Sequence, residues 1–357
     1  MSAIGTRIEK ARKLRGFSLR KLADSTGLSH TQIRYIEKGQ RSLNGPTLLS
    51  IAKALDLPVD YFVREETFRS REVSYRKIKA LTEKKQSMIW QMIELQVENY
   101  LEIEDILAIR HDFTSEYLSD IESIESIESE DIDGIACCVR DHFALGRSPI
   151  ASASALLEEM GIIVVGIKGV KGFDGVSLLV DDYIPVIAYN TEIGQAERVR
   201  MTLLHELGHL LLNDKLRAKS EKEIENICTS FASHLLLPDQ ILKSYFWGRV
   251  KSLSMTDLIE LQSTYGISID AIIYRLKALL FISESKYKSY WVKKNASPEL
   301  KCEIEKSRYE EPLSQRFVRL VIRALDKSLI TMSKAKVYLR DAGISAEKSD
   351  RLLNSSL

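Results

Sequence analysis

The chain has 357 residues, 45% of them hydrophobic and 28% charged, and a net charge of +1. That length holds two or three cores, and the composition is ordinary for a globular protein, which excludes a disordered or fibrous chain. No apolar run approaches the ~20 residues of a membrane span, and Met1-Ser-Ala-Ile-Gly-Thr-Arg7 lacks the apolar centre of a signal peptide. Cys137, Cys138, Cys228 and Cys302 form neither a CxxC pair nor a disulfide framework. Free thiols in a reducing cytoplasm are expected.

Four or five short helices are predicted over residues 5–62. Residues 7–15 read as a basic amphipathic helix ending at Gly16. Ser18 is placed to N-cap a helix over 19–25. Gly27 makes a turn, Leu28 plugs the angle, and Ser29 caps a helix over 30–38 that Gly39 ends in a left-handed cap. A helix over 47–55 supplies Leu48, Leu49, Ile51, Ala52 and Leu55 to a shared core. Ala23, Gly27, Leu28 and Ile33 have the sizes and spacing of a helix-turn-helix, whose second helix enters a DNA major groove. Charge agrees. Residues 1–64 hold twelve Lys and Arg against five Asp and Glu, a surplus of seven on a nearly neutral chain, as phosphate binding requires.

This stretch resembles the Xre family of phage-repressor helix-turn-helix domains, chiefly through Ile33-Arg-Tyr-Ile-Glu-Lys-Gly39. The resemblance implies base contacts from His30, Thr31, Gln32 and Arg34. Gln32 suits adenine and Arg34 suits guanine, while Arg20, Lys38 and Arg41 suit phosphates. Glu37 is expected to be an internal structural partner. The implied ligand is a double-stranded DNA operator. Tandem half-sites would require a homodimer, which no sequence feature proves.

Residues 65–110 read as a charged helical connector. Its irregular stripe of Ile78, Leu81, Met88, Ile89, Met92, Leu95, Val97, Tyr100 and Leu101 could dimerise the protein or pack on its body; packing is the commoner outcome. An acidic stretch over 112–133 follows, with nine Asp or Glu, no Lys or Arg, and Ile-Glu-Ser repeated three times over 121–129. A solvated linker or helix face is expected there. The speculative alternative is a DNA-mimicking surface for the basic head.

From Ile135 the pattern is mixed. Helices are expected over 136–143 and 151–160, a short buried strand over 162–165, and a hairpin from 176–180 and 185–189. Val186-Ile-Ala-Tyr189 could act as an exposed strand that pairs with an extended substrate.

His205-Glu206-Leu207-Gly208-His209 then falls in an apolar run of Met201, Leu203, Leu204, Leu207, Leu210, Leu211 and Leu212. On a helix, positions i and i+4 share one face, so both histidines can reach one zinc ion, with Glu206 beside them to take a proton from an activated water. Buried polar groups are costly unless paired or metal-bound, and only six histidines occur in the chain. The bland alternative is a chance match with satisfied structural histidines.

A third histidine six residues on is absent, that position being Lys215, so a carboxylate from the next helix, 221–237, is expected. Glu225, Cys228, Ala232 and Leu235 form its core-facing stripe, with small Cys228 and Ala232 allowing close approach; Pro238 stops the helix. Glu225 is favoured and Glu221, one turn earlier on the stripe, is the rival. His234 reads as a surface histidine before a ligand, and Cys228 as packing before a thiolate.

Glu197-Arg-Val-Arg-Met-Thr-Leu-Leu-His-Glu-Leu-Gly-His209, with Glu225-x-x-Cys-x-x-Phe-Ala-x-x-Leu-Leu-Leu-Pro238, resembles the ImmA/IrrE zinc metallopeptidases. The likeness extends upstream through Phe173-Asp-Gly-Val-Ser177 and Ile184-Pro-Val-Ile-Ala-Tyr-Asn190. It implies Zn2+ held by His205, His209 and Glu225, with Glu206 as catalytic base. Cys228 and Thr229 stand where Ala-Asn is usual, and Leu237 where Met is common.

Helices are expected over 255–265 and 268–280, and a helical tail over 317–353. Residues 268–276 resemble the C-terminal helical part of longer members of the same family. A structural lobe is favoured there over a second DNA-binding unit.

The expected architecture is multidomain and mainly α. An all-α helix-turn-helix domain (1–64) and a connector with acidic linker (65–134) precede an α+β zincin-like core (135–245) and a C-terminal helical region (246–357). The expected protein is a cytoplasmic transcription regulator with a zinc endopeptidase domain. By resemblance, its substrate is a repressor-like or antitoxin-like protein, in phage, mobile-element or toxin–antitoxin control. The competing reading is a regulator or antitoxin whose zinc fold senses a ligand or holds a cognate toxin without turnover.

Overall fold

The computed structural model describes residues 3–63, 70–72, 81–109, 127, 128, 130–181, 183–246, 253–312 and 315–354. Five helices open the chain: α1 (Ala3–Leu14), α2 (Leu19–Thr26), α3 (His30–Glu37), α4 (Gly45–Leu55) and α5 (Val59–Val63). Their ends follow from local chemistry. Ser18 accepts a hydrogen bond from Lys21 N–H at 3.1 Å, and Ser29 and Gln32 cap α3 reciprocally. Gly27 and Gly39 take φ of +71° and +68° at the expected turns, a region that costs other residues strain. Ile8, Leu22, Ile33, Ile51 and Phe62 form the core between these helices. Glu37 is the internal partner expected, accepting from Arg12 Nε at 2.6 Å and Nη2 at 2.8 Å.

The connector contains one long helix, Glu83–Ile106. Its apolar stripe packs within the chain. Ile89, Ile93, Val97, Tyr100 and Ile103 face the sheet and the C-terminal helices, while Met92 and Leu95 turn toward the N-terminal core. Glu98 and Glu94, one turn apart, receive Arg7 and Lys10 of α1 at 2.6 Å and 2.5 Å. Burial opposes the charged form of Arg7, but the hydrogen bonds and attraction of Glu98 prevail and raise its pKa above the ordinary value. Most of the acidic stretch, with two of its three Ile-Glu-Ser repeats, lies outside the described residues.

Four strands form one sheet in the order β1-β3-β4-β2: β1 (Ser70–Glu72), β2 (Ile163–Ile167), β3 (Gly175–Val180) and β4 (Ile184–Asn190). β3 and β4 make the expected antiparallel hairpin, and β2 joins β4 in parallel. β1, from the connector, was not foreseen as a strand. β4 corrects the expectation of an exposed pairing strand: it lies in the middle of the sheet, with both edges taken by β3 and β2. A substrate strand has no free edge there.

The two faces of the sheet serve different cores, because side chains alternate along a strand. Ile187 and Tyr189 of β4 join the core of Ile132–His142, Ala153–Glu159, Ala196–Leu212 and Glu221–Leu236. Val186 and Ala188 join the other core, with the connector helix and the C-terminal helices Arg316–Asp326, Met332–Asp341 and Ala346–Asn354. Helices Met255–Tyr265 and Ile269–Ala278 share the first core. This is the mainly helical, multidomain architecture with an α+β centre that the sequence indicates.

The Arg7–Glu98 pair makes the seat of the N-terminal domain testable. Glu98→Gln leaves Arg7 buried without its counter-charge and is expected to destabilise that domain by about 3–5 kcal/mol in urea unfolding. Arg7→Met with Glu98→Leu, which removes both charges, should recover most of the loss. Equal losses in the two variants would show that packing, not an unpaired charge, is at stake.

Candidate metal centre and nucleic-acid interface

His205 and His209 sit on the helix Ala196–Leu212, and Glu225 on the helix Glu221–Leu236 that crosses it. Gly208 lets the crossing be tight. A Cβ there would lie 3.2 Å from Cys228 Cα and 3.2 Å from Cys228 Cβ, so any larger residue would push the ligand helix away. The consequence is convergence: His205 Nε2 lies 3.1 Å from His209 Nε2, and Glu225 Oε2 and Oε1 lie 3.3 Å from these two nitrogens respectively. Metal distances of ~2.0–2.1 Å in a tetrahedral shell place ligand atoms about 3.3 Å apart. Two imidazole nitrogens facing each other beside a carboxylate are a poor arrangement for hydrogen bonding alone, and a good one around a cation. The residues fit a divalent metal, and zinc suits a His/His/Glu set. Glu225 is 33% exposed and opens the site to solvent on its side.

The rival donors fall elsewhere. Glu221 is exposed at the start of the helix, and Glu223 is spent on its cap, accepting from Ser220 N–H at 2.9 Å. Lys215 lies in the short 3-10 turn Asn213–Leu216. Cys228 is buried at the helix crossing as a packing residue.

His234 departs from the surface position expected for it. Its Nδ1 lies 2.8 Å from Ser230 O and its Nε2 3.6 Å from Asp239 Oδ1, in a group with Asp133. Asp239 is also bonded to the buried guanidinium of Arg275. Burial, aided by Arg275, pushes the His234 pKa down, so the imidazole stays neutral beside a carboxylate already balanced by Arg275.

Two further side chains support the candidate metal centre, and the sequence reading missed both. Thr229 Oγ1 lies 3.1 Å from His205 Nδ1. With the Nδ1 proton donated to Thr229, Nε2 keeps its lone pair for a metal. The signal was present, since Thr229 is one helical turn from Glu225 and stands where Asn is usual. Ser177 Oγ donates to Glu206 Oε2 at 3.0 Å and holds the carboxylate. Strand alternation puts Ser177 on the sheet face toward the helix. Gly175, on the same face, leaves room for it: a Cβ there would lie 3.2 Å from Glu206 Cγ. Glu206 itself is 1% exposed. Arg200, fully buried, fastens the same helix to its surroundings through Glu311 and the carbonyls of Ile150 and Gly266.

At the other end of the chain, His30, Thr31, Arg34, Lys38 and Arg41 are exposed on or beside α3, and Arg20 is exposed on α2. None of these cations has a carboxylate partner among the described residues. Gln32 differs. It is half-buried, and its Oε1 accepts from Ser29 N–H at 2.9 Å, so a bidentate contact to adenine requires that cap to open.

Residues 8–62 match the helix-turn-helix family and residues 158–277 the IrrE N-terminal-like domain, a peptidase family. The chain thus joins a helix-turn-helix domain, which implies DNA binding, to an IrrE N-terminal-like domain that contains the His205, His209 and Glu225 group. Over 62 residues it is 34% identical to an uncharacterized HTH-type transcriptional regulator of Sinorhizobium medicae (strain WSM419), and equally to one of Rhizobium meliloti (strain 1021). Those alignments cover 17% of this chain and 45% of each relative, so the chain spans less than half the length of the curated relatives it matches. No helix among the described residues is long and apolar enough to cross a membrane.

The Thr229 contact carries a prediction. Thr229→Val keeps the shape but removes the hydroxyl, and should weaken metal binding by about 10–100-fold in competition with a chromophoric chelator. Thr229→Ser should restore most of the affinity. A Val variant that binds metal as tightly as the wild type would leave Thr229 without an orienting role.

Proposed function

We propose that this DNA-binding regulator carries a zinc-dependent endopeptidase in its second domain. The observation that supports it is the cluster of His205, His209 and Glu225 with Glu206 held alongside by Ser177. The two histidines and Glu225 would hold the ion. Zinc, when bound, supplies a Lewis acid that polarises a scissile carbonyl and eases ionisation of water. Glu206 accepts the proton from the attacking water and returns it to the leaving amine. Ser177 fixes the carboxylate plane for that transfer, and Thr229 fixes the His205 ring. The low exposure of Glu206 keeps bulk water from competing for its proton.

The substrate we propose is a repressor-like or antitoxin-like protein cut at one bond, in phage, mobile-element or toxin–antitoxin control. It fits a peptidase fused to an operator-reading head better than a digestive role. The DNA contacts we propose are His30, Thr31, Gln32 and Arg34 to bases and Arg20, Lys38 and Arg41 to phosphates. Exposure of the cationic members supports that assignment.

The decisive variant is Glu206→Gln. Metal content and DNA binding should be unchanged, while cleavage of proteins encoded by neighbouring genes, followed by mass spectrometry, should vanish. Chelation of the wild type should have the same effect and added zinc should reverse it. If regulation in cells survives Glu206→Gln untouched, the zinc fold acts as a sensing or toxin-binding module instead. For the head, Arg34→Ala is expected to cost about 1–3 kcal/mol and relax one operator position. Lys38→Ala should weaken all sequences alike and lower the salt slope by about one.

A further inference from the structure

A cavity of about 480 Å3 lies away from the metal centre, walled by the connector helix, strand β2 and the C-terminal helices. Its size is that of a small-molecule site. Val164, Phe317, Val318 and Ile344 give it an apolar wall. Tyr100 lines it from the connector helix, is 3% exposed, and its buried hydroxyl has no hydrogen-bond partner among the described residues. A buried hydroxyl without a partner costs about 1–3 kcal/mol, a cost that an acceptor brought by a ligand would relieve. Burial pushes the phenol far above its ordinary pKa, which leaves it a donor in search of an acceptor.

The charges on the lining point the same way. Lys168 and Lys348 line the cavity with exposed side chains, and neither has a carboxylate partner among the described residues. Lys348 lies in the first turn of the helix Ala346–Asn354, whose N-terminal N–H groups add partial positive charge. Of the two lining carboxylates, Glu192 accepts from Gly169 N–H at 3.0 Å, and Glu158 has the guanidinium of Arg316 next to it, which donates to the Glu158 backbone carbonyl at 3.2 Å.

From this arrangement we infer an effector site for a small organic anion, with an aryl or alkyl body on the apolar wall and a carboxylate or phosphate between Lys168 and Lys348. The connector residues that line it, Gln96, Asn99 and Tyr100, adjoin the face where Glu94 and Glu98 seat the DNA-binding domain. The site is independent of the peptidase reading, since none of the proposed metal ligands lines it.

Anilinonaphthalene sulfonate, an aryl anion that fluoresces in apolar surroundings, is the probe. Titrated into the full chain, it should bind at one site per chain. Lys168→Glu with Lys348→Glu should weaken it at least about tenfold, as expected for lost charge-assisted contacts. Both lysines are exposed and without ion pairs among the described residues, so folding should persist, as circular dichroism would verify. Tyr100→Phe, which removes one hydroxyl and no volume, should weaken the probe several-fold. Displacement by phenyl phosphate alone assigns the phosphate class, and by phenylpropionate alone the carboxylate class; displacement by both supports a site for either. Unchanged affinity in either variant, several sites per chain, or displacement by neither anion overturns the inference.

Discussion

The crossing of two helices at Gly208 and Cys228 is the constraint on which the metal centre depends. Histidines four residues apart set only two donors on one face. The third must arrive from another element, and its reach is short. A methyl group at residue 208 would meet the Cys228 backbone at 3.2 Å, so the crossing would have to open by a few tenths of an ångström, and Glu225 now lies within 3.3 Å of both rings. The apolar residues around this crossing, such as Leu204, Leu207, Phe231 and Ala232, are buried in one core. Their packing holds in place a cluster of polar groups that would otherwise favour solvent.

Much of this was legible because it is local. The HExxH spacing, the caps at Ser18 and Ser29 and the left-handed turns at Gly27 and Gly39 each depend on a few neighbouring residues. Glu225 could be favoured over Glu221 because a helical stripe and a resemblance agreed. What escaped was set by distant partners. The central place of β4 depends on β2 joining it in parallel, which alternation within 184–190 cannot reveal. Ser177 reaches Glu206 across 29 residues of sequence, and Arg7 meets Glu98 across 91. His234 looked like a surface residue because its helix pattern says nothing of Arg275, which lies beyond the following helix. The pattern over 317–353 indicates a helical tail but no chemistry for it. Its apolar residues Val318, Val321, Ala335 and Leu339 pack in the same core as the connector helix.

The connector is therefore a structural element of both domains. Its Leu95 completes the helix-turn-helix core while its Ile93 and Val97 complete the core behind the sheet. A buried pair such as Arg7–Glu98 adds little net stability over an apolar replacement, but it penalises every seat that separates its members. The pair thereby favours one seat of the helix-turn-helix domain on the IrrE N-terminal-like domain and the connector, whereas apolar packing alone would tolerate sliding.

Strand β3 carries this division to the scale of single residues. Gly175 and Ser177 face the helix that bears Glu206, whereas Val176 and Leu178 face the core shared with the connector helix. Alternation with a period of two thus puts the proposed proton-transfer machinery and the foundation of the DNA-reading head on opposite sides of one strand. Proximity of this kind is not coupling, which needs an element with two arrangements that both sites bias. The strand is the least suited to that role, being hydrogen-bonded on both edges to β1 and β4. The connector helix is better suited. To shift its seat on the head it would have to break the ion pairs of Glu94 and Glu98 and withdraw Leu95 from the head's core, while the helices that hold His205, His209 and Glu225 lie on the other face of the sheet. Any signal between the helix-turn-helix domain and the His/His/Glu group would on this geometry travel by movement of the connector, with the sheet as its fixed floor.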